Sequence, residues 1–263
     1  MVWIVLGVVV ALAIALFQLF WGGDGFRESP AVSQQESSTL SSVPNRTDWS
    51  QTWAISASEA NALLDRPNTI LLDARGLIRR VLTHIEGAIP VHWRSFSQTD
   101  TSRQGNLLEY DDPNQRQVLE QKIRDLGISE QTVVLVYGEP IHGWGEEGRI
   151  VWMLKTLGHD SVALIDGGIS ALIENGAATS LLPSYTIPDT GQFQIRARSD
   201  WTVTHEDLRR LLNVSEESSP QAASSEEFFE TSSQISLVDT REAREYEGET
   251  PYGELRGGHL PGA

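Results

Sequence analysis

Two stretches of this chain repeat one another, and a duplication fixes the architectural unit before any other feature does. Leu71-Leu72-Asp73-Ala74-Arg75, followed at a distance by His84-Ile85-Glu86-Gly87-Ala88, returns as Leu237-Val238-Asp239-Thr240-Arg241 followed by His259-Leu260-Pro261-Gly262-Ala263. Upstream, Ile55-Ser56-Ala57-Ser58-Glu59-Ala60 aligns without a gap with Val203-Thr204-His205-Glu206-Asp207-Leu208. In both, a Ser or Thr with an acidic residue two or three places on reads as a helix N-cap with first-turn carboxylates. Each short helix leads to an apolar run, Thr69-Ile70-Leu71-Leu72 or Ile235-Ser236-Leu237-Val238, of the size of a buried parallel strand. The second copy holds only the opening elements of the first, so residues carrying chemistry in it are expected beyond Ala263. The stretch from 200 to 263 is expected to be poorly stable by itself.

Five segments follow from composition. Residues 1–21 read as a transmembrane anchor: from Val2 to Trp21 the one strongly polar side chain is Gln18, and about twenty helical residues span the roughly 30 Å of a bilayer's hydrocarbon core. No Lys or Arg precedes the run, which argues against a cleaved signal peptide. Trp3 and Trp21 sit where indoles favour the interface, while the flanking Asp24, Arg27 and Glu28 give no orientation. Residues 22–48, rich in Ser, Gly, Gln and Pro, read as a flexible linker. Residues 49–182 form a first complete domain, 183–201 an extended connector, and 202–263 a partial second copy. Within that copy, 213–234 is a disordered acidic Ser/Glu insertion.

The first domain alternates strands and helices. Thr132-Val133-Val134-Leu135-Val136-Tyr137 is the strongest strand signal, and Ser161-Val162-Ala163-Leu164-Ile165 is another, closed by Asp166-Gly167-Gly168. Helices are predicted over Val118 to Leu126, stopped by Gly127, and over Arg149 to Leu157, stopped by Gly158. Alternation of this kind predicts an α/β fold with a parallel sheet covered by helices on both faces.

With 36 acidic and 20 basic residues the chain carries a net charge of −16. Nucleic-acid binding needs clustered Lys and Arg, and no such cluster is present. There is no cysteine, which excludes disulfides, thiolate-bound zinc and cysteine nucleophiles.

Taken together, Asp-x-Arg after a strand, His-Ile/Leu-x-Gly-Ala, a strong strand running into a loop, and strand–Asp-Gly-Gly resemble the rhodanese-like domain. The duplication is similar to that of two-domain thiosulfate and mercaptopyruvate sulfurtransferases. The resemblance implies sulfane-sulfur transfer through a cysteine persulfide, held on the loop that leaves the central strand. A thiolate there is stabilised by loop amides and a helix N-terminus. The corresponding loop here runs from Gly138 to Gly148, and Gly138 stands where an active copy would carry the cysteine. The resemblance therefore makes the first domain catalytically silent, as the first copy usually is in two-domain members. The family also places an Arg before the aromatic residue corresponding to Tyr246. Here that residue is Glu245, with Arg244 one place earlier, which disfavours an anionic thiosulfate.

The loop's candidate residues are Gly138, Glu139, His142, Gly143, Glu147 and Gly148. A general base at His142 would need a nucleophile, and the nearest hydroxyl, on Tyr137, reads as packed. With Glu139, Glu146 and Glu147 the loop is acidic, and Glu147 is expected to fill its anion cradle from within. The motif residues Asp73, Arg75, His84, Gly87, Asp166, Gly167, Gly168, Asp239, Arg241, His259 and Gly262 read as structural, through ion pairs and turns. Trp93, Trp152 and Trp201 read as core or interface filling. No metal and no cofactor is expected. The expected partner is the bilayer, through Val2–Trp21, with a protein partner at the membrane as the non-enzymatic alternative.

Overall fold

A computed structural model describes residues 49–76, 83–99, 105–141, 143–181, 185–186, 188–198, 201–211, 236–260 and 262–263. The apolar run 2–21, the linker 22–48 and the insertion 213–234 lie outside the described residues. Among the described residues no helix is long and apolar enough to cross a membrane.

The apolar runs build one parallel sheet from β1 (Ala54–Ile55), β2 (Thr69–Asp73), β4 (Ile89–Pro90), β5 (Val133–Tyr137) and β6 (Val162–Ile165), in the order β1-β6-β5-β2-β4. β3 (His84–Ile85) and β7 (Thr179–Ser180) pair antiparallel in a separate ribbon. Period-two alternation in β5 divides the core. Val134 and Val136 face one layer with Leu72, Leu119, Ile123, Ile150 and Leu154. Leu135 and Tyr137 face the other with Ala60, Leu63, Ile169 and Leu172. Each face is thus covered by two helices, α2 (Pro113–Arg124) with α3 (Glu146–Thr156), and α1 (Ala57–Leu64) with α4 (Gly168–Glu174), as a parallel sheet buried on both sides requires.

Local chemistry fixes the helix starts. Ser56 and Glu59 form a capping box on α1. Asp112 accepts from the amides of Asn114 and Gln115, and Pro113 occupies the first turn, so α2 begins five residues before the predicted Val118. α3 begins at Glu146 rather than Arg149, after Gly145 in the left-handed region at φ 72°. α4 starts at Gly168 with Gly167 as its N-cap, a helix the sequence reading did not include.

Residues 188–198 lack helix and strand, yet they are more than a connector. Phe193 and Ile195 are buried in the core, the Arg196 and Arg198 amides donate to Leu157 and Thr156, and the Arg124 side chain donates to the Phe193 carbonyl at 2.7 Å. Further on, α5 (His205–Leu211) and α6 (Ala243–Tyr246) are short helices. The strand predicted over Ile235–Val238 does not form within its described part, 236–238. β2 is a strand because β5 and β4 flank it, whereas Leu237 and Val238 have no ladder partner among the described residues, and an unpaired strand is not stable in water.

Candidate functional site

β2 connects onward to β4 on one side of the sheet, while β5 connects through α3 to β6 on the other. Such a reversal opens a crevice outside the carboxyl ends of the two strands. The Asp73–Arg75 motif leaves β2 at this crevice, and the loop from Gly138 leaves β5.

At β2, Arg75 Nε and Nη2 donate to Asp73 Oδ1 and Oδ2 at 3.0 and 2.8 Å, and both side chains are 2% exposed. Arg75 Nη2 also donates to the Thr83 carbonyl at 2.7 Å. Burial works against the guanidinium charge, but the hydrogen bond and charge of Asp73 outweigh it and raise the Arg75 pKa. The Tyr137 hydroxyl donates to Asp73 Oδ2 at 2.8 Å and accepts from the Ile85 amide at 3.3 Å. Burial first, then the Asp73 charge, pushes this phenol up. The Asp73 carboxylate, the Arg75 guanidinium and the Tyr137 hydroxyl are committed to one another, so the cluster forms a structural tie between strand ends and offers no nucleophile.

The same local geometry recurs at the matching motifs between Thr204 and Ala263. Thr204 and Asp207 reproduce the Ser56 and Glu59 capping box, with Asp207 N donating to Thr204 Oγ1 at 3.1 Å. Arg241 grips Asp239 and donates to the Gly258 carbonyl at 2.8 Å. Thr83 and Gly258 each directly precede the motif histidine. The turn closes identically, with Ala88 N donating to Ile85 O and Ala263 N to Leu260 O, both at 3.1 Å, over Gly87 at φ 77° and Gly262 at φ 82°. Hydrogen bonds from Arg241 hold the Asp239 carboxyl well down, to about 2. His84 is buried in β3, whereas His259 is exposed, stacked on Tyr246 at 3.7 Å and hydrogen-bonded to the Tyr246 carbonyl. Glu245 caps α6 by accepting from the Glu242 amide, and Arg244 pairs with Glu242 at 2.6 Å, so both are occupied locally.

The loop after β5 is tightly folded. The Gly143 amide donates to Glu139 O at 2.8 Å, and His142 lies outside the described residues. Gly168 approaches so closely that a Cβ there would lie 2.4 Å from the Gly138 carbonyl. Gly167 supplies the left-handed turn before α4, Asp166 is exposed with its amide on Ile55 O, and Gly148 lies within the first turn of α3. Glu147 turns its carboxyl inward: a Cβ at Gly138 would meet Glu147 Oε2 at 2.0 Å and Cδ at 2.3 Å. Oε2 is buried without a hydrogen-bond partner among the described residues. Burial raises the Glu147 pKa, its own amide opposes the rise, and Glu146 and Glu139 add to it. The space beside Gly138 is thus filled by a carboxyl that gains little from donors. Ile141 and Trp144 project outward, 77% and 78% exposed, with Trp144 tilted against Tyr252 at 5.5 Å.

Beside the loop, where α3 begins, a cleft of about 880 Å³ is walled by Trp93, Arg94, Leu107, Trp144, Arg149 and Trp152. Trp93 and Trp152 pack one side against the core and present the other to this cleft, so they do more than the core filling expected of them. Trp201 rests on Trp53 at 5.2 Å. Among the described residues no three His, Asp or Glu side chains are grouped to hold a metal ion.

Residues 56–175 match the family model described as rhodanese-like domain. The chain is 27% identical over 195 residues to the sulfur carrier protein TtuD of Thermus thermophilus, covering 68% of this chain and 56% of that protein. It is 25% identical over 210 residues to the thiosulfate sulfurtransferase of Azotobacter vinelandii, covering 80% and 66%. In fold it is similar to the 3-mercaptopyruvate sulfurtransferase from Leishmania major, with a TM-score of 0.56 at 18% identity over 80% of this chain and 53% of that one. The chain therefore spans between about half and two thirds of the length of these relatives.

Proposed function

This chain belongs to the rhodanese-like sulfurtransferase family, its rhodanese-like domain lying at residues 56–175, and we propose that it is a membrane-anchored member whose first domain is catalytically silent. The observation that carries this reading is the pair Gly138 and Glu147: the position after the central strand has no side chain, and a carboxyl fills the space a side chain there would take. Persulfide chemistry needs a thiolate, so sulfur transfer would require a thiol from outside these 263 residues, none of which is cysteine. The run Val2–Trp21 supports tethering to a bilayer. The test is cyanolysis: purified protein incubated with thiosulfate and cyanide is expected to form no thiocyanate above the protein-free blank. Turnover would overturn the reading.

A second reading, a non-enzymatic module that binds a protein at the membrane, draws support from the loop tip. Ile141 and Trp144 are among the most exposed large apolar side chains described, and an active-site loop released from chemistry is free to present them. Cross-linking through a photoreactive residue at position 141 in native membranes tests it, and recovery of no stoichiometric protein adduct would count against it.

A further inference from the structure

We infer that the cleft walled by Trp93, Trp144, Trp152, Arg94 and Arg149 is a binding site for a small organic anion, a carboxylate or sulfonate on a flat apolar body. This goes beyond the silent-domain reading and does not depend on it. The first argument is charge. In a chain of net charge −16, Arg75, Arg116, Arg124, Arg196 and Arg198 of the same domain all pair with carboxylates. Arg94 and Arg149 have no carboxylate partner among the described residues, and both converge on one indole: their Cζ atoms stand 5.1 and 4.2 Å from the Trp93 ring centroid. Cation–π contact with that ring restrains both guanidinium groups before any ligand arrives, which lowers the entropy cost of binding.

The second argument is desolvation. Arg149 donates to the Gly105 carbonyl, and burial pushes its pKa down with no anionic group opposing the fall. A bound anion would supply the missing counter-charge. The carboxylate on the cleft wall, Glu146, does not: one of its oxygens accepts the Trp144 amide at 2.9 Å, which holds it to the loop. The third argument is shape. Three indoles and Leu107 supply apolar walls in a volume of about 880 Å³, the size and character of small-molecule sites in which a few polar groups set orientation. An inorganic anion would leave those walls unused.

The experiment is a fluorine NMR titration of the full chain in lipid nanodiscs, with empty nanodiscs as blank. The probes are 4-fluorobenzenesulfonate, its neutral counterpart 4-fluorobenzenesulfonamide, and sulfate as a competitor. Saturable binding of the sulfonate is expected, with the sulfonamide and sulfate each at least about tenfold weaker. Arg94→Gln is expected to weaken the sulfonate about tenfold, the loss of roughly one charge-assisted hydrogen bond. Arg94 is exposed, so this variant keeps its fold, and Arg149→Gln, checked by circular dichroism, is expected to act in the same direction. Equal binding of sulfonate and sulfonamide would reduce the cleft to an apolar surface, and sulfate binding as well as the sulfonate would make it an inorganic-anion site. Either result, an unaffected Arg94→Gln, or no saturation by about 10 mM, weaker than any specific contact argued above, overturns the proposal.

Discussion

The Tyr137 hydroxyl donates to Asp73 Oδ2 at 2.8 Å, tying the carboxyl ends of adjacent parallel strands. Because Asp73 also holds Arg75 inside the protein, the two kinds of truncation differ in cost. Tyr137→Phe removes one donor to Asp73 and the acceptor of the Ile85 amide but leaves the ion pair, and is expected to destabilise by about 1–2 kcal/mol. Asp73→Asn leaves the Arg75 guanidinium buried beside a neutral amide and is expected to cost about 3–5 kcal/mol. Urea unfolding of the three proteins checks the order, and equal losses would mean that the guanidinium finds solvent in the variant.

A thiol at position 138 and the Glu147 carboxyl exclude each other sterically. Gly138→Cys alone is expected to react slowly with iodoacetamide, whereas Gly138→Cys with Glu147→Ala reacts at least about tenfold faster, as an accessible thiolate near a helix N-terminus does. The pH dependence of Glu147 carries its own sign. Its folded pKa is raised by burial, so the folded state keeps a proton where the unfolded state has lost it. Stability falls as pH rises through the interval above the ordinary carboxylate value. Glu147→Gln is therefore expected to unfold at higher urea than the native chain at pH 7, and this advantage shrinks toward pH 4.

His159 is 2% exposed, sits edge-on to Phe193 at 5.9 Å, and has no partner for Nε2 among the described residues. Burial depresses its pKa from the ordinary 6.5 to about 4, although Thr132 and Ser161 of the backbone and the charge of Asp160 oppose the fall, while the charge of Lys155 adds to it. Between those two values the unfolded chain binds the proton and the folded chain does not. Its contribution is thus intact above pH 6.5 and is lost as pH falls toward 4, by at most about 3 kcal/mol. The unfolding midpoint of the native chain should lie lower at pH 5 than at pH 7, and the two midpoints should separate less in His159→Gln; an identical pH response in both proteins would remove His159 from the account.

Phe193 seals the layer between α2 and α3 from the strap at 188–198. Phe193→Ala is expected to cost about 3–5 kcal/mol, the range for a core aromatic, although composition places this residue in a linker. A fragment ending at residue 182 should likewise unfold at lower urea than one ending at 198, and indistinguishable midpoints would show the strap to be an ornament of the fold.

Much of this architecture was written in short-range patterns. β-branched runs gave β5 and β6, and the Ser56–Glu59 and Thr204–Asp207 spacings gave two capping boxes whose hydrogen bonds are present. Asp112-Pro113 also carried its signal, an N-cap followed by proline, which the apolar period starting at Val118 obscured. Other features depend on partners distant in sequence. Phe193 and Ile195 alternate within polar neighbours, and only α2 and α3 make them core. Gly145 caps α3 through backbone conformation rather than a side chain, which hid the helix start. The Trp93 cleft joins residues some sixty positions apart, so no local window displays it, and Ser236–Val238 shows the converse, a strand pattern left irregular for want of neighbours.

The strap makes the route toward the second copy a load path rather than a leash. Tension arriving through Trp201 would meet first the Arg198 and Arg196 amides, held by the carbonyls of Thr156 and Leu157, and then the seated side chains of Ile195 and Phe193. Those carbonyls end α3, the same helix whose first turn carries Glu147. The strap is thus fastened to the C-terminal end of the helix whose N-terminal end fills the space beside Gly138.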